Sequence, residues 1–218
     1  MPLRISAILR RCALAAAALG LPACEATLQV YSNPEHENGR LQAQDLREGG
    51  IAFLTPSTVT GHEEDKQMLA QAFASTLRAQ RSDIRVVPLS GTISEVNRAG
   101  IGNLYRTMYA EYRDTALFDG AVMRQVAKAT GTRYLAQLKL AKIEQGARGR
   151  FGILGLSILN TQYASMRVFW QIWDSRDGSI VWEGIDEVTL AMDTGLEKPM
   201  PFSAAAERAA QDLVKRLP

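Results

Sequence analysis

Residues 134–140, Tyr-Leu-Ala-Gln-Leu-Lys-Leu, and residues 164–172, Ala-Ser-Met-Arg-Val-Phe-Trp-Gln-Ile, carry the pattern that decides the fold. In both segments the even-numbered positions are apolar, whereas Ser165, Arg167 and Gln171 are polar. Because successive side chains of a β-strand point to opposite faces, a period of two predicts strands with one apolar face.

A third strand follows after a tight turn. The turn is Asp174-Ser175-Arg176-Asp177-Gly178, in which glycine supplies the left-handed position. Beyond it the apolar side chains alternate with Glu183 and Glu187; they are Ile180, Trp182, Val188 and Leu190. These three segments predict a meander of long antiparallel strands with one apolar face and one solvent-exposed face.

The first part of the domain alternates short strands with a helix. Residues 51–54 form a short apolar run that ends at Pro56, and residues 84–87 form a second run closed by Pro88. Between them, residues 62–80 place apolar side chains every four positions, which predicts an amphipathic helix. The repeating residues are Leu69, Phe73 and Leu77.

Residues 90–131 are predicted to be mostly helical. Asp119 suits the start of a helix and Gly131 suits its end, and a final helix is expected over residues 202–217. One helical face is expected to carry Leu104, Tyr105, Met108, Tyr109 and Tyr112. The predicted fold class is α/β (α+β): a single mixed sheet with a long antiparallel meander, covered by helices.

The N-terminal residues have the form of a secretory signal. Arg4, Arg10 and Arg11 precede an apolar run, residues 12–21, and the segment ends Leu21-Pro22-Ala23-Cys24. A cysteine at the cleavage site is similar to the lipobox of bacterial lipoproteins. In that class the signal, here residues 1–23, is removed and the cysteine, here Cys24, carries diacylglycerol and a further acyl chain such as palmitate.

Two alternatives to lipidation stay open. An ordinary signal cut after Ala23 would leave Cys24 as a free thiol, and the twin-arginine route is suggested only by Arg10-Arg11. A single-pass anchor is disfavoured because the apolar run is far shorter than about 18 residues.

Residues 24–49 are polar and are expected to form a lipidated N-terminus and flexible tether, with the periplasmic domain covering residues 50–218. The alternative is that residues 28–31 add an edge strand to the domain. Cys24 is the single cysteine left after processing, so the domain contains no internal disulfide.

The charge of the chain excludes a nucleic-acid partner of the usual basic kind. The 218 residues carry a net charge of +2, but the three arginines of residues 1–23 leave with the signal. The remaining 22 basic and 23 acidic residues give the mature protein a charge of −1. No large basic field is therefore expected.

The sequence does not predict an enzyme, a cofactor or a metal site. His36 and His62 are far apart in the sequence, and no second cysteine survives to make a metal-ligand pair. No nucleophile elbow and no phosphate-binding loop is present. Glu183 and Glu187 fit a solvated strand face, and the tyrosines at 105, 109 and 112 fit a half-buried core better than a glycan platform.

One segment stands apart, the apolar and glycine-rich residues 146–159 between two predicted strands. A loop this apolar must fold onto its own domain, contact a membrane or meet another chain. The candidate binding residues within it are Arg148, Arg150, Phe151, Gly152, Ile153, Leu154, Gly155 and Leu156.

Four features together resemble a known group: the lipobox, the strand 51–54 before a helix, the Gly-Thr-Arg-Tyr-Leu entry at 131–135, and the turn with its flanking strands at 173–184. The group comprises periplasmic lipoproteins related to the curli secretion channel, whose core domain is similar to the N-terminal domain of the Tol-system propeller protein. The resemblance implies a non-enzymatic envelope protein. Pore-forming members carry two membrane hairpins per subunit, and here only residues 146–159 offer one.

The lead hypothesis is a lipid-anchored binding module that docks an envelope protein through a sheet edge and residues 146–159. The alternatives are a self-associated ring or secretion component and, last, an envelope hydrolase that uses Asp or Glu, which two buried carboxylates facing one cleft would support. Glu25 stands where Asp commonly signals inner-membrane retention in enterobacteria, so the resemblance implies the outer membrane with the domain facing the periplasm.

Overall fold

A computed structural model describes residues 28–37, 39–153, 156–194 and 201–218. Cys24 and the predicted signal lie outside the described residues. The strands are β1 (Leu28–Glu37), β2 (Ile51–Phe53), β3 (Ser57–Thr58), β4 (Val86–Val87), β5 (Tyr134–Ile153), β6 (Leu156–Asp174) and β7 (Ser179–Thr194). The helices are α1 (Ala43–Gly49), α2 (Glu63–Gln80), α3 (Leu89–Arg98), α4 (Gly102–Thr115), α5 (Gly120–Thr130) and α6 (Phe202–Val214).

The described strands form one mixed sheet in the order β1-β7-β6-β5-β2-β4, with β3 alongside β5. β5, β6 and β7 make the antiparallel meander, and β1 continues it antiparallel to β7. β2 is parallel to both β4 and β5. The predicted α+β class, with its long meander, is confirmed.

One face of the sheet packs on α1, α2 and α6 and holds the larger core. Trp170 lies at its centre, where the ring centroids of Phe73 and Trp182 are 5.3 and 5.2 Å away. The apolar positions of the three long strands converge here because they share one face. Ala136, Met166 and Val188 are among the fully buried residues.

The opposite face is covered by α3–α5 over only part of its length. Under these helices Leu135 and Trp173 are buried against residues such as Met123. The prediction of one solvent-exposed face is therefore wrong for this part of the meander, because the helices bury its second side as well. Farther along the strands the same face carries Lys142, Arg167 and Glu187, directly opposite one another.

The predicted tether is replaced by ordered structure. Residues 28–37 form β1 rather than a spacer, so the edge-strand alternative is the one observed, and it is longer than expected. Residues 43–49 form α1, whose Leu46 is fully buried in the larger core. Both elements lie in a mostly polar stretch and were therefore not predicted in full. An edge strand is stabilised largely by backbone pairing, and α1 buries a single apolar side chain, Leu46.

Several local predictions are confirmed. The Asp119 carboxylate caps α5 by accepting hydrogen bonds from the backbone N–H groups of Ala121 and Val122, at 2.7 and 3.2 Å. Gly131 and Gly178 have φ of 65° and 76°.

Two positions differ from the pattern. Ile180 is exposed while Val181 is buried, because the register shifts between Ile172 and Trp173. Leu104 is exposed on α4.

Candidate functional site

The segment predicted to be a loop at residues 146–159 is mainly the far part of a β-hairpin. Residues of β5 and β6 pair from Gly146↔Tyr163 outward to Ile153↔Leu156, with irregular register around Phe151. Of the candidate residues, six lie in these strands: Arg148, Arg150, Phe151, Gly152, Ile153 and Leu156. Leu154 and Gly155 lie outside the described residues.

The hairpin projects from one end of the sheet, called the distal end below. There β1 begins at Leu28↔Met192 and β7 ends at Asn160↔Thr194. Residues 150–153 of β5 continue past this point with β6 as their ladder partner. Four residues at about 3.4 Å each carry this two-stranded part about 14 Å beyond the end of β7.

β1 is the terminal strand of the sheet, and its outer edge has no strand partner among the described residues. Its first half carries large apolar side chains in solvent: Leu28 is 50% exposed, Val30 41% and Tyr31 73%. A long edge with unpaired backbone groups and apolar side chains favours the addition of another strand. Farther along the strand, Pro34 lacks an N–H group, which limits such pairing to the first half.

A buried polar cluster fastens β1 to the domain. The Ser32 hydroxyl donates at 2.8 Å to Asp212 of α6 and lies 3.2 and 3.3 Å from the two oxygens of Asp186 on β7. The Arg208 guanidinium donates to Asp212 at 2.6 Å. Burial raises the pKa of Asp186 to about 6, and the Ser32 hydrogen bond opposes this shift. The edge strand is thereby held in place by a strand and a helix at once.

This cluster also bears on the hydrolase alternative, since two carboxylates are buried together. The Ser32 side chain stands between them, and Arg208 already pairs with Asp212. The carboxylates therefore act as hydrogen-bond acceptors that position β1.

The histidines and tyrosines take structural positions. His36 lies on β1 and His62 is the N-cap of α2, and the described residues contain no group of three or more metal-ligating side chains. Tyr105 and Tyr112 belong to the second core, where burial raises the pKa of Tyr112 to about 12. The half-buried Tyr109 donates to the Pro56 carbonyl oxygen at 2.7 Å. The core interpretation of these tyrosines is therefore correct.

Two concave surfaces were not predicted from the sequence. A groove of about 760 Å³ runs between α2 and α3, where Lys66 bonds Glu63 at 2.6 Å. The polar stripe Gln67, Gln71 and Ser75, opposite the apolar face of α2, was the available signal. A second cleft of about 460 Å³ lies at the end of the sheet opposite the distal end, beside Arg133 and Arg176. Its residues come from three separate stretches of sequence, 48–49, 124–133 and 175–176, so no local pattern predicts it.

None of the helices that the structure describes has both the length and the apolarity needed to cross a membrane.

Comparison with known proteins gives structural likenesses at low identity. Nothing matches the chain among protein-family models or curated proteins. Among solved structures, the chain is similar to the PelC dodecamer of Paraburkholderia phytofirmans, with 16% identity and a TM-score of 0.47, covering 86% of this chain and 97% of that one. It is similar to lipoprotein GNA1162 of Neisseria meningitidis, with 11% identity and a TM-score of 0.39, covering 77% and 96%. It is also similar to the LpoB C-terminal domain of Salmonella enterica, with 11% identity and a TM-score of 0.34, covering 64% and 82%. Likenesses of this size do not assign a function.

Proposed function

We propose that this protein is a lipid-anchored, non-enzymatic binding module of the bacterial envelope, and that it docks a protein partner through the outer edge of β1. The observation that carries the proposal is the free edge of β1 with exposed Leu28, Val30 and Tyr31. The Ser32 cluster supports it, because an edge that is already rigid loses little conformational entropy when a partner strand is added.

The position of β1 relative to Cys24 supports a definite orientation. Only residues 25–27 separate Cys24 from Leu28, so a lipid on Cys24 lies within about 14 Å of the start of β1. Leu28 is at the distal end, as is the hairpin that contains residues 146–159. The lipid and the apolar hairpin would then meet the bilayer together, with the remainder of the domain extending into the periplasm. Glu25 after Cys24 favours the outer membrane.

The test is site-specific photo-cross-linking in intact cells. A cross-linker at residue 30 or 31 is expected to give a discrete adduct, and the adduct from residue 31 is expected to disappear in Val30→Lys because an edge lysine opposes strand addition. The chain offers a matched control: Leu117 is 68% exposed and Ile180 41%, close to the values for Tyr31 and Val30. Equal cross-linking from residues 117 and 180 would contradict the assignment of the edge.

The mass of the lipidated protein in mild detergent identifies the kind of partner. A closed multimer whose β1 cross-links join two copies of this chain means that the edge mediates self-association. A monomer that cross-links to a different protein means a heterologous partner. Unlipidated Cys24 in the mature protein would overturn the anchoring part of the proposal.

A further inference from the structure

The cleft of about 460 Å³ at the end of the sheet opposite the distal end is surrounded by cations. It lies where the end of α5, the start of β5 and the turn 174–178 meet. The side chains that matter for its chemistry are Arg124, Lys128, Arg133, Ser175, Arg176 and Glu48. A cavity of this size is in the range of small-molecule sites.

The positive charges of the cleft exceed the nearby negative ones. Arg133 pairs with Asp174 at 2.6 Å and with Asp45 at 3.4 Å, and Arg176 contacts Asp174 at 3.5 Å. With Glu48, three carboxylates therefore face the four cations Arg124, Lys128, Arg133 and Arg176. Arg124 and Lys128 have no ion pair among the described residues, although they lie one turn apart on α5. Like charges at this spacing repel each other, and an anion placed between them relieves the repulsion.

A hydroxyl without a protein partner, on a largely buried residue, is a second observation that favours a ligand. Ser175 is only 4% exposed and lines the cleft, yet its hydroxyl makes no hydrogen bond within the described residues. The hydroxyl oxygen itself is not among the buried unpaired polar atoms of the described residues, so it opens to the cleft and can donate to a bound molecule.

We propose that this cleft binds a phosphate group carried on a larger molecule. Guanidinium groups, an ammonium group and a hydroxyl offer donors from several directions, more than the two oxygens of a carboxylate can accept, whereas a phosphate has three or four oxygens. The cleft is also larger than one phosphate. The group could belong to a soluble phosphate ester or to an anionic lipid headgroup, and the cleft is about 50 Å along the strands from Gly149 at the distal end.

Two probes distinguish these sources. The lipidated protein, anchored in phosphatidylcholine vesicles, is titrated calorimetrically with glycerol 3-phosphate. Its capture of a second, separate set of vesicles is then compared for phosphatidylglycerol and phosphatidylcholine, because the cleft lies about 50 Å from the anchored end. Saturable binding of glycerol 3-phosphate identifies a soluble ester. A preference for phosphatidylglycerol alone identifies a headgroup. Failure of both probes overturns the proposal.

The double variant Arg124→Gln, Lys128→Gln is expected to weaken binding at least tenfold. The matched control is Arg106→Gln, Lys139→Gln, which removes the same charges from exposed positions away from the cleft. Ser175→Ala changes no charge and is expected to weaken binding several-fold while the protein stays folded. If both double variants lose the same amount of affinity and Ser175→Ala binds as the natural protein does, the affinity depends only on overall charge. That result would overturn the site. The result is independent of partner docking at β1, which cross-linking measures separately.

Discussion

The face of the sheet beneath α2 and α6 is apolar along the long strands, whereas the opposite face is apolar only where α3–α5 cover it and is charged beyond them. On the first face Trp170, Trp182 and Leu190 are buried in one continuous core. On the second face Leu135 and Trp173 are buried, but Arg167 and Glu187 farther along form an ion pair in solvent. The polarity of each strand position therefore depends on whether a helix covers it, and not on the strand alone.

The largest expected effect is on the first face. Trp182→Ala should lower the free energy of unfolding by about 3–5 kcal/mol, because it opens a large cavity beside Trp170. Urea denaturation followed by circular dichroism measures this loss. Trp182→Phe is the control and should cost much less, since the indole N–H has no hydrogen-bond partner within the described residues and its removal leaves no group unsatisfied. A cost below about 1 kcal/mol for the alanine variant would show that this core is not continuous.

The sequence predicted those elements whose periodic pattern fits a single type of secondary structure. The alternation in residues 134–140 and 164–172 predicted the meander, and the four-residue repeat of Leu69, Phe73 and Leu77 predicted α2. It failed for Leu135 and Trp173, because burial on the second face depends on α3–α5, which are distant in the sequence.

The prediction of a tether at residues 24–49 was wrong, and the cleft beside Arg133 was not predicted, for the same physical reason. The apolar residues of 28–31 allowed a short edge strand, but the polar residues 32–37 resemble a spacer and are identified as part of β1 only by their pairing with β7. The cleft exists because the fold brings residues 48–49 and 175–176 to the junction of α5 and β5. Contacts between residues so distant in the sequence produce no periodic pattern from which they could be predicted. The candidate residues in 146–159 remain a prediction, since their contacts are not described.

The second largest expected effect is on the pH dependence of stability. It concerns Asp186, a buried carboxylate on the otherwise apolar first face. Its raised pKa of about 6, against 3.8 for an ordinary aspartate, means that burial favours the protonated acid in the folded state. Its contribution to stability is therefore complete below pH 3.8 and is lost as the pH rises through 6. Asp186→Asn, which stays neutral, should be more stable than the natural protein by at most about 3 kcal/mol at pH 7.5 and about equal to it at pH 4.

Thermal unfolding across this pH range measures the difference. The control is Glu187→Gln on the opposite face, where Arg167 lowers the pKa of the carboxylate, so that its contribution is lost on acidification instead. Parallel pH profiles for the natural protein and Asp186→Asn would contradict a charged, buried Asp186.

The smallest expected effect tests whether the helices that cover the second face can unfold locally while the sheet stays folded. Asp119→Ala removes the cap of α5 and should cost about 1 kcal/mol, whereas Asp119→Asn, which keeps an acceptor oxygen, should cost less. α5 contributes Val122 and Val126 to the second core and nothing to the first. Hydrogen exchange should therefore accelerate at the amides of these residues while the amides of Val188 and Leu190 in β7 keep their protection. Equal acceleration in β7 would mean that the two faces unfold as one cooperative unit, and that the helix cover is inseparable from the sheet it protects.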